Sequence, residues 1–161
     1  MSIYEPGYGN GVVSINYQYF DEQSIISDCQ FTRCALDGNT CGALSIQISY
    51  NGQLSLINTA FFQCKAQYAG AIYAYVTYGG KIIIDGDCSF IECESPNGNG
   101  GAIYSSVQDT NSQLILNDGV KIYGCTGYTG SGISLSCSNY GTCEIGDIEI
   151  KDCEATYEGG G

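Results

Sequence analysis

Two apolar markers recur along this chain at a nearly constant interval. The first is the branched apolar residue of a glycine-rich segment that is clearest at Gly100-Gly101-Ala102-Ile103-Tyr104. Its copies are Val13, Leu44, Ile72, Ile103 and Ile133. The second marker is an apolar residue followed three positions later by cysteine, and its copies are Phe31, Phe61, Phe90, Ile122 and Ile150. Both markers return every 28 to 32 residues. Two markers that interleave at one period indicate a repeat protein.

The segments between the markers are predicted to be short strands joined by tight corners. No stretch places apolar residues at helical spacing, and 23 Gly with many Ile, Tyr, Ser and Thr favour strands and turns. Each repeat of about 30 residues accommodates three short strands and three corners. The stretches 53–62 and 81–91 are each predicted as one strand, and 96–100 as a loop. Corners are predicted at four turn-favouring dipeptides: Asn51-Gly52, Gly79-Gly80, Asn111-Ser112 and Tyr140-Gly141.

This organisation predicts an all-β fold, a right-handed parallel β-helix of about five coils of ~30 residues each. The right-handed sense is expected because parallel β-crossover connections are right-handed. Leucine-rich repeats, the competing solenoid, are not supported, since the chain lacks Leu-x-x-Leu-x-Leu spacing. We assign residues 1–161 to a single domain, with repeats that run approximately over 11–40, 41–69, 70–99, 100–129 and 130–161.

In such a fold each repeat position becomes a column of side chains about 4.8 Å apart. The second marker then predicts an apolar ladder in the core: Phe31, Phe61, Phe90, Ile122 and Ile150. Two residues earlier, a second inward column contains small or β-branched residues: Cys29, Thr59, Cys88, Val120 and Ile148. The cysteines of the marker form a third column: Cys34, Cys64, Cys93, Cys125 and Cys153.

The ten cysteines are interpreted mainly as buried thiols. Stacked cysteines point the same way, so their Cβ atoms stay near ~4.8 Å apart, wider than the ~3.8 Å usual in disulfides. Cys137 and Cys143 bracket a predicted corner and are the best disulfide candidates, whereas Cys41 has no evident partner. A zinc site is not supported, because the chain has no histidine and no Cys-x-x-Cys pair. We expect no cofactor and no metal.

Charge and hydropathy restrict the classes of partner. The chain carries 17 acidic and 5 basic residues, which disfavours nucleic acid and anionic membrane surfaces as partners. No apolar run approaches the roughly 18 residues of a membrane span, so direct membrane insertion is not expected. The first residues lack the basic and apolar regions of a secretory signal. A secreted protein would have lost that signal or carry it elsewhere, and an intracellular protein would not need one.

The repeat resembles those of polymorphic-outer-membrane-protein-like surface proteins, which use Gly-Gly-Ala-Ile followed by Phe-x-x-Asn. The matching segments are Gly100–Ile103, Gly70–Ile72, Gly42–Leu44 and the five Phe/Ile-x-x-Cys markers. Cysteine replaces the asparagine of the bacterial pattern, so the chain is more similar to the repeats of protist surface adhesins. The resemblance covers roughly residues 11–161. It implies a right-handed β-helix and an extracellular or cell-surface location, and it implies little about function because such repeats are scaffolds.

The sequence does not favour catalysis on this fold. Pectate-lyase-like enzymes need clustered acidic Ca²⁺ ligands and a basic residue, and inverting hydrolases need paired carboxylates. Asp85 and Asp87 are expected to neighbour Asp118 across one turn, but such residues more often cap corners. The basic residues are few and spread along the chain. We therefore predict no enzymatic activity, with a polysaccharide-degrading enzyme as a distant alternative.

Binding and assembly are the functions that the sequence favours. A tyrosine stripe is predicted to form a ligand-contact face for glycans or surface proteins: Tyr68, Tyr73, Tyr104, Tyr128 and Tyr157. The alternative interpretation is that these tyrosines have only a structural role and cover the sheet. Neither end of the sequence shows an amphipathic helix that would cover a terminal turn, so open ends are expected. We therefore expect either a segment of a longer solenoid, packed on adjoining repeats, or a subunit that stacks on itself into filaments. Both make the chain structural.

Overall fold

The computed structural model of the protein describes residues 12–17, 19–35 and 41–159. Within these ranges the chain forms 18 β-strands that run parallel and stack as a β-solenoid of about five turns. No helix long and apolar enough to cross a membrane occurs in this part of the chain. The predicted all-β parallel β-helix is confirmed. Parts of the first and last predicted repeats, residues 11, 18, 36–40, 160 and 161, lie outside the described residues.

Four parallel sheets form the walls of the solenoid. The first sheet contains β1 (Val13–Asn16), β4 (Leu44–Ile48), β7 (Ile72–Val76), β11 (Ile103–Gln108) and β15 (Ile133–Ser138). The second contains β2 (Gln23–Ser27), β5 (Gln53–Ile57), β8 (Lys81–Asp85), β12 (Gln113–Leu116) and β16 (Thr142–Ile145). The third contains β3 (Gln30–Thr32), β6 (Ala60–Phe62), β9 (Ser89–Ile91), β13 (Lys121–Tyr123) and β17 (Glu149–Lys151). The fourth contains β10 (Glu94–Asn99), β14 (Thr126–Thr129) and β18 (Glu154–Glu158).

Strand pairing confirms both marker columns. The first sheet aligns Val13, Leu44, Ile72, Ile103 and Ile133. The third sheet aligns Phe31, Phe61, Phe90, Ile122 and Ile150. The three phenylalanine rings stack face to face, with centroids 5.0 Å and 4.8 Å apart. Every other residue of a strand points inward, so the middle turns bury a continuous apolar core.

The prediction of three strands per turn agrees with the described residues of the first two turns and is wrong for the last three, each of which has four short strands. The stretch 53–62 is divided between β5 and β6 by Asn58, whose φ is 48°, and 81–91 is divided by Gly86, whose φ is 65°. A left-handed residue bends the chain without changing the hydrophobic pattern on either side. The predicted loop at 96–100 is mostly strand, since β10 extends to Asn99 and pairs with β14.

Residues with left-handed backbones recur at equivalent corners. Between the third strand of a turn and the next wall stand five of them, with φ from 52° to 60°: Arg33, Gln63, Glu92, Gly124 and Asp152. Between the first and second walls the pairs Tyr50-Asn51 and Tyr78-Gly79 are both left-handed, as a tight type I′ turn requires. The predicted corners Asn51-Gly52 and Gly79-Gly80 are therefore turns in the structure, closed by hydrogen bonds from Gly52 N to Ser49 O and from Gly80 N to Thr77 O.

Candidate functional site

The marker cysteines form one column along the inside of the solenoid, as predicted. Backbone pairing between successive turns carries it without interruption through Cys34, Cys64, Cys93, Cys125 and Cys153. The middle three are fully buried, whereas Cys34 and Cys153, at the two ends, are partly exposed. All five are free thiols. The column therefore packs the core as small apolar side chains do.

Each thiol also has a repeated set of polar contacts. The Sγ atom of Cys64 donates to the carbonyl oxygen of Phe62 at 3.7 Å and to that of Phe31, in the preceding turn, at 3.6 Å. Cys93, Cys125 and Cys153 repeat both contacts in their own turns. The thiols thus give these carbonyl oxygens an additional hydrogen-bond donor, which a purely apolar side chain at the same position could not supply.

Hydrogen bonding between neighbouring thiols separates their pKa values. Bonds from Cys34 and Cys93 lower the pKa of the Cys64 thiol, and a bond from Cys93 lowers that of Cys125. The same bonds raise the pKa of Cys34 and of Cys93. Burial raises the pKa of Cys153.

Of the three remaining free thiols, Cys41 and Cys88 are core residues with partners of their own, and Cys29 is partly exposed. Cys41 is fully buried and donates to the carbonyl oxygens of Leu44 at 2.7 Å and Ala71 at 3.1 Å. Burial raises its pKa to about 12. Cys88 donates to the carbonyl oxygen of Asp85 at 3.1 Å, and burial raises its pKa as well. Neither thiol has the environment of a reactive nucleophile.

Cys137 and Cys143 are joined by a disulfide, the pairing that the sequence favoured. Their register explains the location: Cys137 pairs with Val107 and Cys143 with Leu114, both of which are buried core residues. The disulfide thus replaces an apolar pair at the inside of the corner between the first and second walls. It closes the core of the last turn with a covalent bond.

The five predicted contact tyrosines fall into two groups that flank one corner. Tyr73 and Tyr104 lie on β7 and β11, with ring centroids 5.2 Å apart, and are partly buried. Tyr128 and Tyr157 lie on β14 and β18, with centroids 5.1 Å apart. Tyr68, two turns before Tyr128, is exposed and has no ring contact among the described residues. Burial raises the pKa of Tyr73, with a smaller contribution from Tyr104.

Stacking changes what these tyrosines can offer to a ligand. The rings of Tyr128 and Tyr157 are within 4° of parallel, so each covers one face of the other. A sugar that packs on an aromatic side chain needs a free ring face. In each stacked pair one face of every ring is covered by its partner, so fewer ring faces are free for a ligand than the sequence suggested.

A further aromatic column was not predicted from the sequence. At the corner between the first and second walls Tyr50 and Tyr78 stack with ring centroids 5.6 Å apart, and the Phe20 ring packs against Tyr50 at 5.2 Å with its plane tilted by 51°. Tyr78 is 61% exposed, and both tyrosines have left-handed backbones, which bulky residues rarely adopt. The sequence contained a signal for part of this column, because Tyr50 and Tyr78 each directly precede a predicted corner. Phe20 could have been added to the column only by aligning turns of unequal length.

The carboxylates considered for catalysis act as corner and surface groups. One oxygen of Asp118 accepts a hydrogen bond from the backbone N–H of Asp147 at 2.7 Å, and Asp85 accepts one from Gly86 N at 2.8 Å. Asp87 pairs with Lys121 at 3.5 Å on the exposed surface. Within residues 12–17, 19–35 and 41–159 no group of three or more histidines, cysteines or carboxylates is placed to hold a metal ion. A shallow depression beside Asp118 and Asp147 also contains Lys121 and Glu149.

A polar column follows the left-handed corner after the third wall. Arg33 Nε donates to Gln63 Oε1 at 3.1 Å, and Gln63 Nε2 donates to Glu92 Oε2 at 2.7 Å. Gly124 and Asp152 continue the same column in the last two turns. The column therefore begins with a positive side chain on the first turn and ends with a negative one on the last.

Both ends of the solenoid expose residues of the core columns. In the last turn Ile145 is 53% and Ile150 38% exposed, whereas Leu116 and Ile122, one turn earlier in the same columns, are 1% and 0% exposed. In the first turn Val13, Ile15, Ile26 and Phe31 are only partly buried. Among the described strands, three at the first turn (β1, β2 and β3) and four at the last turn (β15, β16, β17 and β18) pair on one side only.

Comparison with known proteins finds no matching family model, no matching curated protein and no matching solved structure. The resemblance to surface-adhesin repeats therefore stays a prediction from the marker residues.

Proposed function

We propose that this protein is a non-catalytic structural β-solenoid, an extracellular or cell-surface scaffold that extends by end-to-end stacking. The observation that supports it is the exposure of core columns at both ends. Ile145 and Ile150 occupy columns that are buried in every middle turn, and their strands pair on one side only within the described part of the chain. An edge of this kind is a template for another strand.

The inside of the solenoid also supports a structural role. The side chains of the middle turns are committed to stacking, from the phenylalanine column to the thiol column. The carboxylates that an enzyme would need are engaged with backbone N–H groups or a lysine. The extracellular or surface location is supported by the Cys137–Cys143 disulfide, since disulfides persist mainly in oxidising compartments.

The test is negative-stain electron microscopy of the purified chain over a range of concentrations, with mass photometry of the same samples. Unbranched filaments should grow in length and number with concentration. Five turns at about 4.8 Å each predict an axial repeat of roughly 24 Å per subunit. A monomer that persists at every concentration would contradict end-to-end assembly.

A second candidate function is a carbohydrate- or protein-binding adhesin module. It is favoured by Tyr68, Tyr128 and Tyr157, which are all exposed beside the same corner, with Tyr157 at 66%. A glycan array, and pull-down with surface proteins, would test it. The triple substitution of these tyrosines by Ala should abolish binding and leave assembly intact. Tyr78→Ala, which removes an equally exposed ring at another corner, is the matched control.

A further inference from the structure

We propose that the partner at the open end is a second copy of this chain, bound head to tail in one register. In that register the last turn of one copy continues every column of the first turn of the next. The inference rests on the proposed function, and it adds the identity of the partner and the contacts that select the register.

The apolar columns match across such a junction. Continuing the pairing by one turn places Ile133 on Val13, Leu135 on Ile15 and Ile145 on Ile26 of the next copy. It also places Ile150 on Phe31. These residues are the ones that remain partly or largely exposed at the two ends. Their burial supplies the hydrophobic driving force, at about 25 cal/mol per Å² of apolar surface.

The polar corner column supplies charge complementarity. Asp152 on the last turn and Arg33 on the first turn have the same position and nearly the same φ, 53° and 52°. Stacked in register, the carboxylate of Asp152 lies against the guanidinium of Arg33 in the next copy. Arg33 already bonds to Gln63 on its other side, at 3.1 Å. The contact between Asp152 and Arg33 at the junction is therefore of the same kind as the contacts that link Arg33, Gln63 and Glu92 within one chain.

The same charges disfavour rotated arrangements. The first turn has three left-handed residues at its described corners: Asp21, Asp28 and Arg33. A rotation that moves Asp152 away from Arg33 brings it against Asp21 or Asp28, and like charges at close range are destabilising. The register that continues the columns pairs Asp152 with Arg33, although it also brings Asp147 near Asp28 of the next copy. The register is therefore selected by the match of the apolar columns together with the Asp152–Arg33 pair.

The thiol column gives an independent readout. Its exposed ends, Cys34 and Cys153, would meet at the junction and become as buried as Cys64, Cys93 and Cys125. Alkylation of Cys34 and Cys153 should therefore slow together as filaments form. The net charge of −12 opposes association of two copies, so added salt should favour assembly by screening it.

The experiment is a charge swap measured as the critical concentration for assembly. Arg33→Glu should raise it by about tenfold or more, because it places two acids at the junction. Asp152→Arg should do the same from the other end, and the double variant Arg33→Glu/Asp152→Arg should restore assembly. Glutamate and arginine both occur in this column with left-handed backbones, so both substitutions suit the position. Lys81→Glu changes the charge equally on β8, in the middle of the stack, and is the matched control.

The outcomes separate this inference from the proposed function. If the unchanged chain forms no filament, end-to-end assembly itself fails. If filaments form but the two single variants assemble like the Lys81→Glu control, the partner surface or the register is wrong while the scaffold function stands. Failure of the double variant to recover, although it folds by circular dichroism, also overturns the register. Should Arg33→Glu fail to fold, Asp152→Arg and the alkylation of Cys34 and Cys153 decide the question.

Discussion

A Cβ atom placed on Gly70 would lie 2.1 Å from the carbonyl oxygen of Gly101 in the next turn. The same close approach relates Gly42 to Gly70 and Gly101 to Ser131, each at 2.1 Å. Successive turns therefore meet at this corner backbone to backbone, without space for a side chain. The glycine of the first marker is required by this contact and not by a left-handed φ, since neither Gly42, Gly70 nor Gly101 has one.

Gly70→Ala should destabilise the solenoid by about 2 kcal/mol or more, because the methyl group meets backbone atoms on three sides and the turns must separate. The measurement is the midpoint of urea unfolding followed by circular dichroism. Gly132→Ala is the matched control, since Gly132 occupies the position of Ala71 and Ala102 and its new Cβ would contact only flexible side-chain atoms at 3.3 Å or more. Equal midpoints for the two variants would contradict the backbone-contact explanation.

The register of the solenoid was predictable from the sequence, and the number of its walls was not. The markers Ile72 and Phe61 define columns by hydrophobicity alone, so their spacing was sufficient to align the turns. The break at Asn58 was missed because one left-handed residue bends the chain while Leu56 and Phe61 still point inward. The fourth wall was missed because Ser-Pro-Asn-Gly-Asn has the composition of a turn and yet lies in a strand.

Phe61→Ala should cost about 3–5 kcal/mol of unfolding free energy, as truncation of a buried phenylalanine does in other cores. The ring is stacked between Phe31 and Phe90, so its removal leaves a cavity with a rigid ring on each side. Phe20→Ala is the comparison, because Phe20 is mostly exposed and its loss should change stability by no more than about 0.5 kcal/mol. Unfolding in urea measures both, and a similar loss in the two variants would contradict the assignment of Phe61 to the core.

The Cys137–Cys143 disulfide should be replaceable by valine and leucine, the residues at the equivalent positions one turn earlier. Cys137→Val/Cys143→Leu copies Val107 and Leu114, and we expect it to retain most of the stability of the last turn. Cys137→Ser/Cys143→Ser should lose about 2 kcal/mol, because it removes the covalent constraint on the last turn.

Hydrogen exchange of residues 133–145 distinguishes the two variants. Protection in the Val/Leu variant should approach that of the oxidised protein, and the Ser/Ser variant should exchange faster in this segment alone. Fast exchange in both variants would mean that the covalent bond, and not the filling of the core, holds the corner together.

Stability should fall as the pH rises from about 9 to about 12. The Cys41 thiol has a pKa near its ordinary value of 9 when the chain is unfolded and about 12 when it is buried. Between these values the unfolded state releases a proton that the folded state keeps, so each pH unit should remove up to about 1.4 kcal/mol. Burial also raises the pKa of Cys88, which acts in the same direction.

Cys41→Ala isolates the contribution of one thiol. Its urea midpoint should decline less steeply between pH 9 and pH 10 than that of the unchanged protein. Parallel declines would show that Cys41 does not keep its proton in the folded state.

The candidate contact surface was less predictable than the fold. Tyr128 and Tyr157 were placed correctly beside one corner, because both stand two residues before a glycine. Their ring orientation was not accessible from spacing, since it depends on how far apart successive turns hold their side chains. At 5.1 Å that distance lets the two aromatic rings pack face to face, which covers one face of each ring.

The equivalence of the turns has a consequence for the history and engineering of such chains. Because Leu44 would meet Ile103 as well as it meets Ile72, removal of residues 72–102 joins two surfaces that already match. Duplication of the same segment is equally compatible. Length in this architecture is a number of modules and not a property fixed by a closed core, so unequal recombination can shorten or extend the protein one whole coil at a time.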